Sequence, residues 1–127
     1  MNTKTRKATL VIERTDTGFS GYFKEIDGIA TVGDSIAEIK EICLEALEMK
    51  IGSLEGVEID FAVDLEQFFD YYKVINKTAF ADYIGMNKSL FRQYVSGLTN
   101  LSDSKLLDIS KGLHKLADDF SDIVLVK

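Results

Sequence analysis

Polar and apolar residues follow two rhythms along this chain. Ala8, Leu10 and Ile12 recur at every second position, which puts them on one face of a short strand. Thr15-Asp16-Thr17-Gly18 supplies turn chemistry, and Phe19 to Lys24 completes a hairpin. Asp27-Gly28 marks a second turn before a third strand, Ile29 to Val32. Ser35-Ile36-Ala37-Glu38 has the spacing in which a serine cap and a glutamate side chain satisfy each other's free N–H groups, and so starts a helix. Ile36, Ile39, Cys43, Ala46 or Leu47, and Met49 extend it as an apolar stripe to about Lys50, where Gly52 is placed to end it. Val57 to Val63 alternates again, as a half-buried strand does. The predicted order is β-β-β-α-β.

Beyond Asp64 the period is helical. Leu65, Phe68, Phe69 and Tyr72 predict one helix, and Phe80 to Gly97 reads as helix, tight turn, helix and loop. Ala81 is small enough for two helices to touch there, Gly85 takes the positive φ of a tight turn at little cost, and Asn87 can cap the next helix. On that helix Phe91, Tyr94 and Val95 or Leu98 face inward, which turns Lys88, Ser89, Arg92, Gln93 and Ser96 outward. Leu106, Ile109, Leu113 and Leu116 predict a further helix, capped by Ser102 or Asp103. The closing Ile123-Val124-Leu125-Val126 is too apolar for a solvated tail. It should pack within the chain or against a second copy, since each such side chain gains about 1.5–3 kcal/mol on burial.

Composition excludes more than it identifies. With 127 residues, 46% of them apolar and 28% charged, the chain can build one ordinary core or two small ones. No apolar run nears the roughly 20 residues of a membrane span, and the first residues carry no secretion-signal pattern, so a soluble, cytoplasmic protein without membrane association is expected. Cys43 and His114 are each the only residue of their type, too few for a disulfide, a structural zinc site or a Cys-His catalytic pair. Asp16, Glu25, Asp27 and Asp34 lie in or beside loops and do not form a nuclease set on adjacent strands. No catalytic residue, metal or cofactor is expected, and no enzymatic activity. The net charge of −6 is uneven: residues 1–64 hold 7 Lys or Arg against 13 Asp or Glu, and residues 65–127 hold 8 against 8. The acidic half disfavours nucleic acid and suits a basic protein partner, or simply a solvated surface. From Asn76 to Asn100 the balance turns positive, with Lys77, Lys88 and Arg92 against Asp82.

Residues 18–51, GFSGYFKEIDGIATVGDSIAEIKEICLEALEMKI, resemble the N-terminal modules of the HicB antitoxin family. Those modules are similar to a partial RNase H fold without its catalytic carboxylates, and bind a small basic toxin that cuts mRNA. The segment from about Leu65 to Phe120 resembles the Xre or phage-repressor helix-turn-helix family, with Ala81, Gly85, Phe91, Tyr94 and Gly97 at its marked positions. Together the resemblances imply an α+β chain. A β-β-β-α-β toxin-binding domain over residues 1–63 would precede an all-α, five-helix helix-turn-helix domain over 64–127. They imply a type II antitoxin that occludes a HicA-like toxin and represses its own operon as a homodimer or higher homo-oligomer on double-stranded operator DNA. The residues expected at the DNA are Lys77, Asn87, Lys88, Ser89, Arg92, Gln93 and Ser96. The other reading is a stand-alone helix-turn-helix regulator whose first domain senses a ligand or another partner.

Overall fold

The computed structural model describes residues 6–127, so the first five residues of the expected N-terminal domain lie outside it. Among the described residues the fold is α+β, with a four-stranded mixed sheet and five helices. The strands are β1 (Arg6–Arg14), β2 (Phe19–Phe23), β3 (Ala30–Gly33) and β4 (Val57–Val63). The helices are α1 (Ile36–Ile51), α2 (Leu65–Tyr71), α3 (Lys77–Tyr83), α4 (Lys88–Val95) and α5 (Asp103–Ser121). The chain divides into two compact units, Met1–Phe68 and Phe69–Lys127.

In the first unit the strand order is β3-β2-β1-β4. β1 pairs antiparallel with β2, Leu10 opposite Phe23, and parallel with β4, Leu10 opposite Phe61. β3 and β4 are therefore opposite edges joined through α1. A helix of 16 residues spans about 24 Å, enough to cross three strand spacings of about 4.8 Å each. α1 covers one face of the sheet: Ile36, Ile39, Cys43 and Leu47 are buried with Ala8, Leu10, Ile12, Phe19 and Phe23. The helix lies so close to β2 that a Cβ at Gly21 would stand 2.5 Å from Ile39 Cγ2. Met49 falls off the stripe and is 87% exposed, because the buried row continues from Leu47 toward position 51. Ser35 Oγ accepts from the Glu38 amide as expected, but the Glu38 carboxylate accepts from the amide of Asp34 rather than of Ser35.

In the second unit α2, α3, α4 and α5 bury Phe69, Phe80, Ala81, Phe91, Val95 and Ile109. Leu98 is exposed, which settles the inward position in favour of Val95, and Ser102 Oγ caps α5 by accepting from the Lys105 amide. Leu106 is exposed, and Gly112 takes a buried place on the stripe, where a Cβ would stand 2.2 Å from Ile84 Cγ2.

The expected fold class, a β module followed by an all-α domain of five helices, is overturned. The strands do not form one opening block: the fourth follows α1, as the order β-β-β-α-β has it, and enters the sheet as a parallel edge beside β1. One of the five helices, α1, belongs to the sheet unit, so four follow β4, and the first of these, α2, crosses the break between units. After α4 one helix, α5, runs for 19 residues over the stretch where Leu106 to Leu116 predicted one, so no fifth helix follows β4 among the described residues. The physical reason is that no proline or left-handed glycine interrupts residues 103–121, and Gly112 is tolerated inside the helix at a cost of about 1 kcal/mol relative to alanine. Residues 122–127 are not helical and stand exposed, Val124 at 84% and Leu125 and Val126 at 90%, so the tail is not covered by the described residues of its own unit.

Glu25 ties the chain after β2 back to β1. Its carboxylate accepts from the Thr9 amide at 2.7 Å and from the Thr9 hydroxyl at 2.8 Å. These bonds, the backbone one first, hold the Glu25 carboxyl below its ordinary value. A depressed folded value stabilises the fold above the unfolded value, and that contribution is lost as pH falls through the folded one. The stability gap between wild type and Glu25→Gln should therefore be widest at neutral pH and close on strong acidification, measured by urea unfolding across pH. A gap independent of pH contradicts the assignment.

Candidate nucleic-acid interface

Hydrogen bonds close both ends of α3 and α4. Asn76 Oδ1 accepts from the Ala79 amide at 2.9 Å, and Asn87 Oδ1 from the Leu90 amide at 3.0 Å, so an asparagine caps each helix. Gly85, at φ +72°, sends its N–H to the Asp82 carbonyl at 3.1 Å and lets the Met86 N–H reach the Ala81 carbonyl at 2.9 Å. Gly97, at φ +78°, repeats the pattern on α4: its N–H bonds the Tyr94 carbonyl and the Leu98 N–H bonds the Gln93 carbonyl. Such paired bonds around a left-handed residue satisfy carbonyls that a helix end leaves open. α4 is thus limited to eight residues between Asn87 and Ser96.

The inner side of α4 buries Phe91 and Val95 and half-buries Leu90 and Tyr94, while Lys88, Ser89, Arg92, Gln93 and Ser96 are all exposed. Lys77 is exposed at the first position of α3. Of the residues expected at DNA, Asn87 spends its side-chain oxygen on the cap. Arg92 donates from a guanidinium nitrogen to Thr78 Oγ1 at 2.9 Å, and so is braced against the first turn of α3 with donors to spare. Gln93 Oε1 accepts from the Thr99 hydroxyl at 2.8 Å, and the Ser96 hydroxyl donates to the Gln93 carbonyl at 3.2 Å. Thr78 and Thr99 were not among the expected residues. Asn76 as a cap hints that Thr78 sits in a first turn, but no periodicity announces its meeting with Arg92, 14 residues later.

Charge at the helix starts is selective. α1, α2 and α5 each carry an acid in the first turn, Glu38, Glu66 and Asp103, which suits the positive end of the helix dipole. α3 and α4 carry none there, and Lys77 and Lys88 open them instead. A cation at that end costs about 0.3–1 kcal/mol, which an incoming anion relieves. Among the described residues neither lysine has an ion-pair partner.

No family model, curated protein or solved structure matches the chain. What this surface can do rests on its own chemistry. It offers ammonium, guanidinium, amide and hydroxyl donors on one exposed helix face. Among the described residues no three His, Cys, Asp or Glu side chains are grouped to hold a metal ion. Cys43 is buried on the inner face of α1, which pushes its thiol pKa up and leaves it a packing group. No helix among the described residues is long and apolar enough to cross a membrane.

The terminal chemistry of α4 makes two separable expectations. Gly85→Ala meets no atom within 4 Å, so its cost should come from the left-handed backbone alone, about 1–2 kcal/mol. Asn87→Ala should cost about 1 kcal/mol because the cap is removed. Chemical denaturation of both variants checks this, and a stability equal to wild type in either case refutes the corresponding role.

Proposed function

We propose that the protein is a type II antitoxin that binds a small, basic, mRNA-cleaving toxin through its first unit and represses its own operon by reading DNA with α4. The observation that carries the DNA reading is the pair of helix starts at Lys77 and Lys88, freed of acids in a protein whose net charge is −6. Lys77 and Lys88 meet phosphates, which set affinity and register, while Arg92 and Gln93 meet base edges, with Ser89 and Ser96 beside them. Asn87 contributes by holding the start of α4 in place. A second copy, reading a second half-site, supplies the affinity that a nearly neutral half-chain lacks. The exposed Ile123–Val126 segment is the apolar surface such an assembly would bury. The protein acts in the cytoplasm, needs no cofactor and cleaves no nucleic acid.

The toxin reading rests on the first unit's charge and its uncovered sheet face. On the side away from α1, Val11 pairs across to Tyr22, and Glu13 to Ser20 and on to Val32. Tyr22 and Val32 are exposed, and Glu13, Glu58 and Asp60 lie on the same face, Glu13 level with Val32, Glu58 and Asp60 farther along β4 with Asp60 paired to Lys7 at 3.5 Å. An apolar centre with an acidic rim suits a basic partner.

Arg92→Ala and Gln93→Ala should each cost roughly 1–3 kcal/mol on the operator with little change on random duplex. Lys88→Ala should weaken both and flatten the salt dependence by about one unit for each phosphate it no longer neutralises. Binding at several salt concentrations, on variants shown to be folded, decides this; operator binding at the wild-type level in both Arg92→Ala and Gln93→Ala ends the reading of α4 as the recognition helix. For the other half, the protein drawn from its native cells should bring down a small basic ribonuclease and suppress its mRNA cleavage. If the ribonuclease stays active in the complex, the antitoxin role fails.

A further inference from the structure

The second unit carries a cleft of about 690 Å³ between α5 and the α3–α4 turn. Its size is within the range of small-molecule sites. One wall is built by Tyr83, Met86, Asn87 and Leu90, the other by a single face of α5. At the floor α5 comes as near to Ile84 as a backbone can, because a Cβ on Gly112 would stand 2.2 Å from Ile84 Cγ2.

The charge on the α5 wall is one-sided. Lys105, Lys111 and Lys115 line it against Asp108 alone. Lys105 and Lys111 have no ion-pair partner among the described residues, while Lys115 Nζ lies 5.3 Å from the centroid of the Tyr83 ring. Tyr83 in turn donates its hydroxyl to Asp119 at 2.7 Å, which raises the phenol's pKa and keeps it neutral beside the cleft. Three ammonium groups gathered on one helix face repel one another, and Asp108 offsets one of them. The start of α4, its positive dipole end capped by Asn87, opens onto the same space. Lys105 and Lys115 lie about 15 Å apart along α5, so one tetrahedral, multiply charged oxyanion would be met by Lys105 and Lys111, which bind it as point charges. Ile84, Met86 and Leu90 leave room beside it for an apolar body.

We propose that this cleft is a phosphate-binding site, taking either the phosphate of a small ester or one of a nucleic-acid backbone. It does not rest on the recognition role of α4. The test is a titration of the full-length, isotope-labelled protein with inorganic phosphate, with chloride at matched ionic strength as control, followed by amide NMR. Phosphate should produce saturable shifts at Gly85, Asn87 and Gly112 that chloride does not. Lys105→Met and Lys111→Met keep the aliphatic stems, and each should weaken phosphate binding about fivefold, the scale of an exposed ion pair. Unchanged resonances elsewhere show that the variants are folded. Shifts that do not saturate, that chloride reproduces, or that both variants retain overturn the site. A random duplex distinguishes the sources: if it displaces phosphate and Lys111→Met flattens its salt dependence, the site holds the backbone, and if it leaves those shifts unmoved, the site serves a free phosphate ester.

Discussion

Phe69, Phe80 and Phe91 come from three different helices, and their rings meet pairwise with centroids 5.4 to 5.7 Å apart. α2, α3 and α4 have only seven, seven and eight residues. Isolated helices shorter than about 12–15 residues are marginal in water, so none of the three would hold its shape alone. Burying the rings supplies the missing stabilisation, and it does so only when all three helices are in place. The direction of α4's exposed face follows: once Phe91 and Val95 point to the rings, Arg92 and Gln93 must point away from them.

The sheet unit depends on a comparable close approach, that of α1 to β2 over Gly21. The space a side chain would fill there is taken by Ile39, and this fit lets a single helix pack across β1, β2 and β3, while Phe61 on β4 stays exposed. The opposite face is left to hydroxyl, carboxylate and exposed apolar groups. The edge strand β4 is partly protected by Lys40, whose ammonium lies 4.5 Å from the Phe61 ring centroid.

The electrostatic design separates the two halves by more than net charge. In the first half acids outnumber bases at 13 to 7, and in the second the totals match, yet the second half places its charges selectively. Acids open α2 and α5, and lysines open α3 and α4. A total near zero therefore conceals a surface where anions are favoured. The α5 lysines beside the α3–α4 turn add to it, and their spacing in sequence, mixed with Asp103, Asp108 and Asp118, gives no hint that three of them share a cleft.

The features legible in the residues alone are local ones. Alternation marked the strands, asparagine and serine caps marked helix starts at residues 87 and 102, and Gly52, Gly85 and Gly97 marked helix ends, because each of these signals acts through bonds within a few residues. The outward set on α4 was legible for the same reason, since a helix of known phase has only one polar side. Packing decided the rest. Whether Val95 or Leu98 turned inward, why Met49 and Leu106 left their stripes, and how many helices follow the sheet depended on which neighbours were there to be covered. The bracing of Arg92 by Thr78 and of Gln93 by Thr99, and the gathering of Lys105, Lys111 and Lys115 at one cleft, also needed the assembled fold. Such meetings join residues from different elements, and periodicity within one element carries no information about the face it will meet.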